Sequence, residues 1–123
     1  MSYLYIILGA AVGAPLRYFV GSRFRPGLIG NFPVGTFVVN VTGCFLIGLL
    51  LAYAAEKGSL SREARLLLVT GFLGSYTTFS AFGWETYDLL KVSEPLTAAA
   101  YAGLSVVAGV LAVWLAATLV QKL

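Results

Sequence analysis

Polar and charged side chains crowd into a few narrow windows of this chain, and the intervals between them are almost wholly apolar. Four intervals stand out, at residues 3–20, 32–55, 66–90 and 96–120. A helix needs about 20 apolar residues to cross a hydrocarbon core, and each interval is long enough. The pattern predicts an all-α integral membrane protein with four transmembrane helices, forming a single domain over residues 1–123 in contact with a lipid bilayer. Composition agrees, since 59% hydrophobic and 11% charged residues lie far from the usage of water-soluble domains. No basic residue precedes the first apolar interval, so that span is expected to be retained rather than cleaved as a signal peptide. Four short helices cannot enclose a wide lumen, which makes an oligomer the expected working form.

The third interval breaks the pattern. Residues Gly71 to Phe82 read Gly-Phe-Leu-Gly-Ser-Tyr-Thr-Thr-Phe-Ser-Ala-Phe, with hydroxyls and glycines in mid-span. Glycine lowers helix propensity, and Ser or Thr hydroxyls offer the backbone competing partners. A helix broken near Gly74–Thr78 is predicted. At membrane depth a break is tolerated only where protein or a polar cavity covers the freed groups, and such breaks commonly present backbone to ions. The alternative is a kink eased by small residues for packing.

Candidate chemistry is sparse. Cys44 stands alone, histidine is absent, and the five carboxylates Glu56, Glu63, Glu85, Asp88 and Glu94 read as helix-end or loop residues. No disulfide, thiol metal site, zinc site or acid–base pair can be assembled, so an enzyme is not expected. Nothing points to a nucleic-acid partner.

The charges are balanced about the membrane. With four crossings, Lys57, Arg62, Arg65 and Lys122 share one side, and Arg17, Arg23, Arg25 and Lys91 the other. Orientation normally follows an excess of Lys and Arg on the cytoplasmic side, and here the two sides carry four each. This predicts dual topology with pairing as an antiparallel homodimer; the alternative is one orientation set by which charges insert first.

Within the spans, Gly9 and Gly13 have the spacing that lets helices approach closely, and Pro15 predicts a bend. Arg17 beside Tyr18 reads as a snorkelling cation or as a fixed charge in a water-filled vestibule. Asn31 is a candidate cap for the second helix. Thr36, Asn40 and Gly43 share one helical face, where Asn40 either stitches helices together or donates to an anion. Phe79 and Phe82 share a face beside Thr77, Thr78 and Ser80; such rings usually pack, yet their positive edges can hold a dehydrated anion. Trp84, Glu85, Tyr87 and Asp88 read as an interfacial belt. On the fourth span Tyr101, Ser105 and Gly109 form a stripe, so the two hydroxyls point the same way, toward packing partners or a polar track.

Taken together, Gly9-x3-Gly13-Ala14-x2-Arg17-Tyr18, Gly35-Thr36-x3-Asn40-x2-Gly43 and Gly71-x2-Gly74-x2-Thr77-Thr78-Phe79-Ser80-x-Phe82 resemble the Fluc (CrcB) fluoride channels over essentially the whole chain. The resemblance implies a dual-topology antiparallel homodimer with the third helix broken mid-membrane and two antiparallel fluoride pores. It implies that Asn40, Phe79, Phe82, Thr78, Ser80, Tyr101 and Ser105 line the pore, with Arg17 and Glu85 at the vestibule. By the same resemblance the backbone carbonyls of Gly74 and Thr77 hold a structural sodium ion. Two other classes remain open: a small dual-topology multidrug/proton exchanger, which needs a membrane-buried carboxylate, and a non-conducting membrane assembly protein.

Overall fold

The computed structural model describes residues 1–123, all of them helix, turn or loop. Helix α1 runs Ser2–Ser22 and α2 runs Val34–Lys57. The third stretch is composite: α3 (Arg62–Arg65), a π-wound segment (Leu66–Leu73) and α4 (Gly74–Tyr76), then two extended residues and α5 (Phe79–Lys91). Helix α6 runs Pro95–Gln121. Counting Arg62–Lys91 as one, four helical stretches are long and apolar enough to cross a membrane. The third begins ahead of its apolar interval because Ser61 caps it, its hydroxyl accepting from the Ala64 N–H at 3.1 Å. Proline is tolerated at the start of α6, where its missing N–H is not needed, and α1 continues helical through Pro15.

The chain buries little of itself. Only 15 of 123 residues are buried, while Leu4, Ile7, Val106 and Val110 face outward. A water-soluble fold would hide such side chains; hydrocarbon accepts them without cost. The closest contacts between helices are backbone against backbone. A Cβ added at Gly71 would lie 2.6 Å from the Ile6 carbonyl, and one at Gly9 would collide with the Leu67 carbonyl. This contact seats α1 on the π-wound segment. A Cβ at Gly48 would lie 2.8 Å from the Val113 carbonyl, which seats α2 on α6. The one aromatic core forms where α5 meets α6, with Leu89, Ala98 and Tyr101 covered by Phe32, Phe37 and Phe82.

The loop after α1 is tied to the turn before α6. Asn31 does not cap α2, whose first turn follows Pro33 without a side-chain cap. Its carboxamide is drawn instead to a charged acceptor, Glu94 Oε1, at 2.8 Å, and Glu94 Oε2 accepts from the Thr97 hydroxyl at 2.7 Å. These two bonds, Thr97 first and Asn31 second, hold the Glu94 carboxyl below its ordinary value. They also place both connections at one end of the bundle, as four crossings require.

Two measurements check this packing. Gly71→Ala should destabilise the purified protein by about 1–3 kcal/mol, because backbone cannot yield to the new methyl. Gly103→Ala, where a Cβ meets nothing within 4 Å, should leave the unfolding midpoint unchanged or slightly raised. The Glu94 clamp has a depressed carboxyl pKa, so its contribution is complete above the ordinary value of 4.5 and is lost as pH falls through the folded-state value. An acid titration of the unfolding midpoint should therefore fall less steeply for Glu94→Gln than for the parent chain.

Candidate functional site

The interruption is two residues long. Thr77 (φ −82°, ψ 161°) and Thr78 (φ −150°, ψ 114°) are extended between α4 and α5. Thr77 closes the end of α4, its N–H and its hydroxyl donating to the Leu73 carbonyl at 3.0 and 2.9 Å. Thr78 opens α5, its hydroxyl accepting from the Ala81 N–H at 3.3 Å. Between these caps the peptide groups find partners on other helices. Asn40 Oδ1 accepts from the Thr78 N–H at 2.8 Å, and Asn40 Nδ2 donates to the Thr78 carbonyl at 3.1 Å. In a continuous helix the Thr78 N–H would go to the Gly74 carbonyl. Asn40 takes it instead, which frees Gly74, itself exposed on the surface of the chain. The Thr77 carbonyl meets Arg17 Nη1 only at 3.5 Å, the long limit of a hydrogen bond.

Two grooves flank this junction, and Thr78 lines both. The first, of about 390 Å³, brings together Asn40, Gly74, Thr77, Phe79, Phe82 and Ser105. The Ser105 hydroxyl oxygen is buried without a hydrogen-bond partner. The Phe79 and Phe82 ring centroids lie 5.7 Å apart at 34°, and Phe79 is 85% exposed. The second groove, of about 670 Å³, holds Arg17, Tyr18, Thr36, Ser80 and Trp84. Ser80 Oγ lies 3.4 Å from Thr78 Oγ1, so hydroxyls run from one groove to the other.

Glu85 and Tyr101 lie apart from the first groove. The carboxylate of Glu85 accepts from the Thr36 hydroxyl at 2.6 Å and from the Tyr101 hydroxyl at 2.6 Å. Tyr101 is fully buried, its ring 5.3 Å from Phe32 and 5.1 Å from Phe82. Glu85 is therefore no member of an exposed interfacial belt with Trp84 and Tyr87. It lies within α5, half-buried, and ties α2, α5 and α6 together. The stripe on α6 also divides: the Tyr101 hydroxyl turns to Glu85, whereas Ser105 lines the first groove beside Asn40.

Other participants were not legible in sequence. Cys44, Ile47, Val69, Leu73 and Val106 line the first groove, but apolar residues in apolar spans carry no signal. Thr42 and Tyr76 share a hydrogen bond at 2.8 Å; Tyr76 lies in the polar stretch 71–82, but nothing in the sequence pairs it with Thr42.

Comparison with known sequences shows the family. A family model described as "CrcB-like protein, Camphor Resistance (CrcB)" matches residues 4–117. The chain belongs to the CrcB family. A relative from Acidobacterium capsulatum, named "Fluoride-specific ion channel FluC", is 49% identical over 94% of this chain and 92% of its own length. Relatives of the same name from Chloroflexus aurantiacus and Solibacter usitatus are 47% and 43% identical, covering 89% and 99% of this chain and 87% and 100% of their own lengths. This CrcB member is a multi-pass protein of the cell membrane, by its family and its four spanning stretches.

Replacing Asn40 by Ala strips both bonds from the Thr78 backbone at once. An unmet buried polar group costs about 1–3 kcal/mol, so the unfolding midpoint should drop and the Thr78 amide should exchange with solvent faster than in the parent chain.

Proposed function

We propose that this chain forms a fluoride-selective passive channel that lets cytoplasmic fluoride leave the cell. The observation that carries the reading is the near full-length identity, up to 49%, with relatives named as fluoride-specific ion channels. The site is chemically suited to the task. Fluoride is the smallest and most strongly hydrated halide, so a pore must replace its water with uncharged donors. A carboxamide has two N–H donors, and Asn40 spends one on Thr78, keeping one for an anion. The edges of Phe79 and Phe82 carry partial positive charge, and the hydroxyls of Thr78, Ser80 and Ser105 add further donors. Arg17, in the second groove, raises the local anion concentration at a vestibule. Tyr101 packs on Phe82, and its hydroxyl with that of Thr36 occupies the Glu85 carboxylate beside the second groove, at the vestibule.

In this proposal the working unit is an antiparallel dual-topology homodimer with two pores, and the interruption at Thr77–Thr78 lies at mid-membrane. A second copy laid on the first groove would cover the exposed Phe79 ring and the freed carbonyls. The equal division of basic residues between the two sides supports insertion both ways. The donor set at Gly74 and Thr77 fits a sodium ion, since both carbonyls are free of helix bonding and hard cations take oxygen ligands. Two oxygens per chain are too few, so the same residues of two copies would hold it. There the ion would supply fixed positive charge that compensates uncovered backbone dipoles. Transport needs no pump: HF crosses membranes as a weak acid, dissociates inside, and leaves fluoride on the high side of its gradient.

Purified protein in liposomes should release fluoride far faster than chloride, with or without a proton ionophore. An exchanger would stop when the proton gradient collapses, and a non-conducting assembly protein would release neither ion. Replacing Phe79 and Phe82 together by Ile should slow fluoride release by roughly ten- to a hundredfold, the equivalent of about 1–3 kcal/mol for two lost ring contacts.

A further inference from the structure

Helix α2 meets the interruption at three points, and only one of them, Asn40, is explained by the proposal above. The other two, Thr42 and Gly43, lie two and three residues on. Thr42 Oγ1 sits 2.7 Å from the Val38 carbonyl, 3.0 Å from the Val39 carbonyl and 2.8 Å from the Tyr76 hydroxyl. A threonine hydroxyl has one proton. Both carbonyls can only accept, so that proton points back along α2, and the Tyr76 hydroxyl must be the donor to Thr42. The bond thus has a fixed sense, Tyr76 to Thr42 to the α2 backbone.

Tyr76 is the last residue of α4, directly before the extended Thr77. Its side chain is almost fully buried and its ring stacks on Phe72 at 6.0 Å and 10°. A ring this enclosed keeps its rotamer, and its hydroxyl is anchored to α2. Next to it, Gly43 offers no side chain, and a Cβ there would collide with the Thr77 methyl and lie 3.4 Å from the Tyr76 ring. Residues 76, 77 and 78 are thereby gripped in succession: Tyr76 by Thr42, Thr77 by the bare surface of Gly43, and Thr78 by Asn40.

We propose that the Tyr76–Thr42 hydrogen bond is a positioning device that sets where the Thr77 peptide and the following Phe79 stand against α2. Neither residue needs to touch the ion. The bond anchors the upstream side of the interruption as Asn40 anchors the downstream side, and two anchors are required because, beyond the Thr77 N–H bond to the Leu73 carbonyl, the extended peptides have no helical bond to fix their direction. With one anchor lost, the peptide between them can pivot about the other, and Phe79, held by little else in the chain, moves with it.

The inference rests on the fluoride-channel reading, and the experiment separates the two. Fluoride release from liposomes is measured beside chloride for the parent chain, Tyr76→Phe, Thr42→Val, the double variant and Thr42→Ser, together with the unfolding midpoint of each. Tyr76→Phe removes one oxygen and keeps the stacked ring, so it is the variant that retains the fold. Expected are a drop in fluoride release of about fivefold to tenfold for each single variant, the size of one neutral hydrogen bond. The double variant should be no worse than either single one, and Thr42→Ser, which keeps the hydroxyl, should match the parent. The fluoride-to-chloride ratio should fall, and for Tyr76→Phe, which leaves no polar group unmet, the midpoint should change little. Single variants that release fluoride within twofold of the parent overturn the device. So does a drop that merely follows loss of folded protein, or effects that multiply in the double variant. A parent chain that releases no fluoride sinks the channel reading itself, a different result.

Discussion

The backbone N–H and C=O of Thr78 both close on a single carboxamide, that of Asn40, and much of the architecture follows from that pairing. A chain inside hydrocarbon cannot leave a peptide group unmet without a cost of several kcal/mol. A two-residue interruption of the third stretch therefore needs a donor and an acceptor delivered from another helix at peptide spacing. Asparagine is the shortest side chain that carries the two on separate atoms. Its helix must approach closely enough for so short a side chain to reach, and Gly43, one turn further on, provides that approach.

The close approach is prepared elsewhere. Glycines at positions 9 and 71 bring α1 onto the π-wound segment, and Gly48 brings α2 onto α6, each contact made by backbone rather than by side chains. Membrane helices gain nothing from hiding leucines from lipid, so close van der Waals contact and interhelical hydrogen bonds carry the association instead. That accounts for a chain in which so few residues are buried and the hydrogen bonds between helices do so much. The Thr36–Glu85–Tyr101 cluster does for α2, α5 and α6 what Asn40 does for α2 and the interruption. It takes a charge that would otherwise demand water and meets both of its oxygens with hydroxyls.

Under the proposed function, this division has a consequence. One groove carries the carboxamide, the aromatic pair and an unpartnered hydroxyl, the other carries the arginine, and Thr78 forms the wall between them. The residue whose backbone Asn40 holds is also the one that both grooves share. Rigid backbone with free donors on either side is what selective passage of a small, strongly hydrated ion would require, because an elastic site could relax around a larger one.

Hydropathy alone determined that this is a four-span helical membrane protein, because crossing hydrocarbon imposes a length and an apolarity that no other pattern satisfies. The glycines and hydroxyls of residues 71–82 marked the place where the third stretch would depart from regular helix, since propensity and competing side-chain bonds act locally. Asn40 stood out for the same reason, as an amide in mid-span. Only the tertiary structure decided what each polar group bonds to. Asn31 was drawn away from its own helix to Glu94, 63 residues on, and Glu85 left the surface for two hydroxyls on other helices. Thr42 and Tyr76, which nothing along the chain pairs, met across the bundle. A residue's propensity is written in its neighbours along the chain, whereas its hydrogen-bond partner is selected by helix packing, which depends on every backbone contact at once.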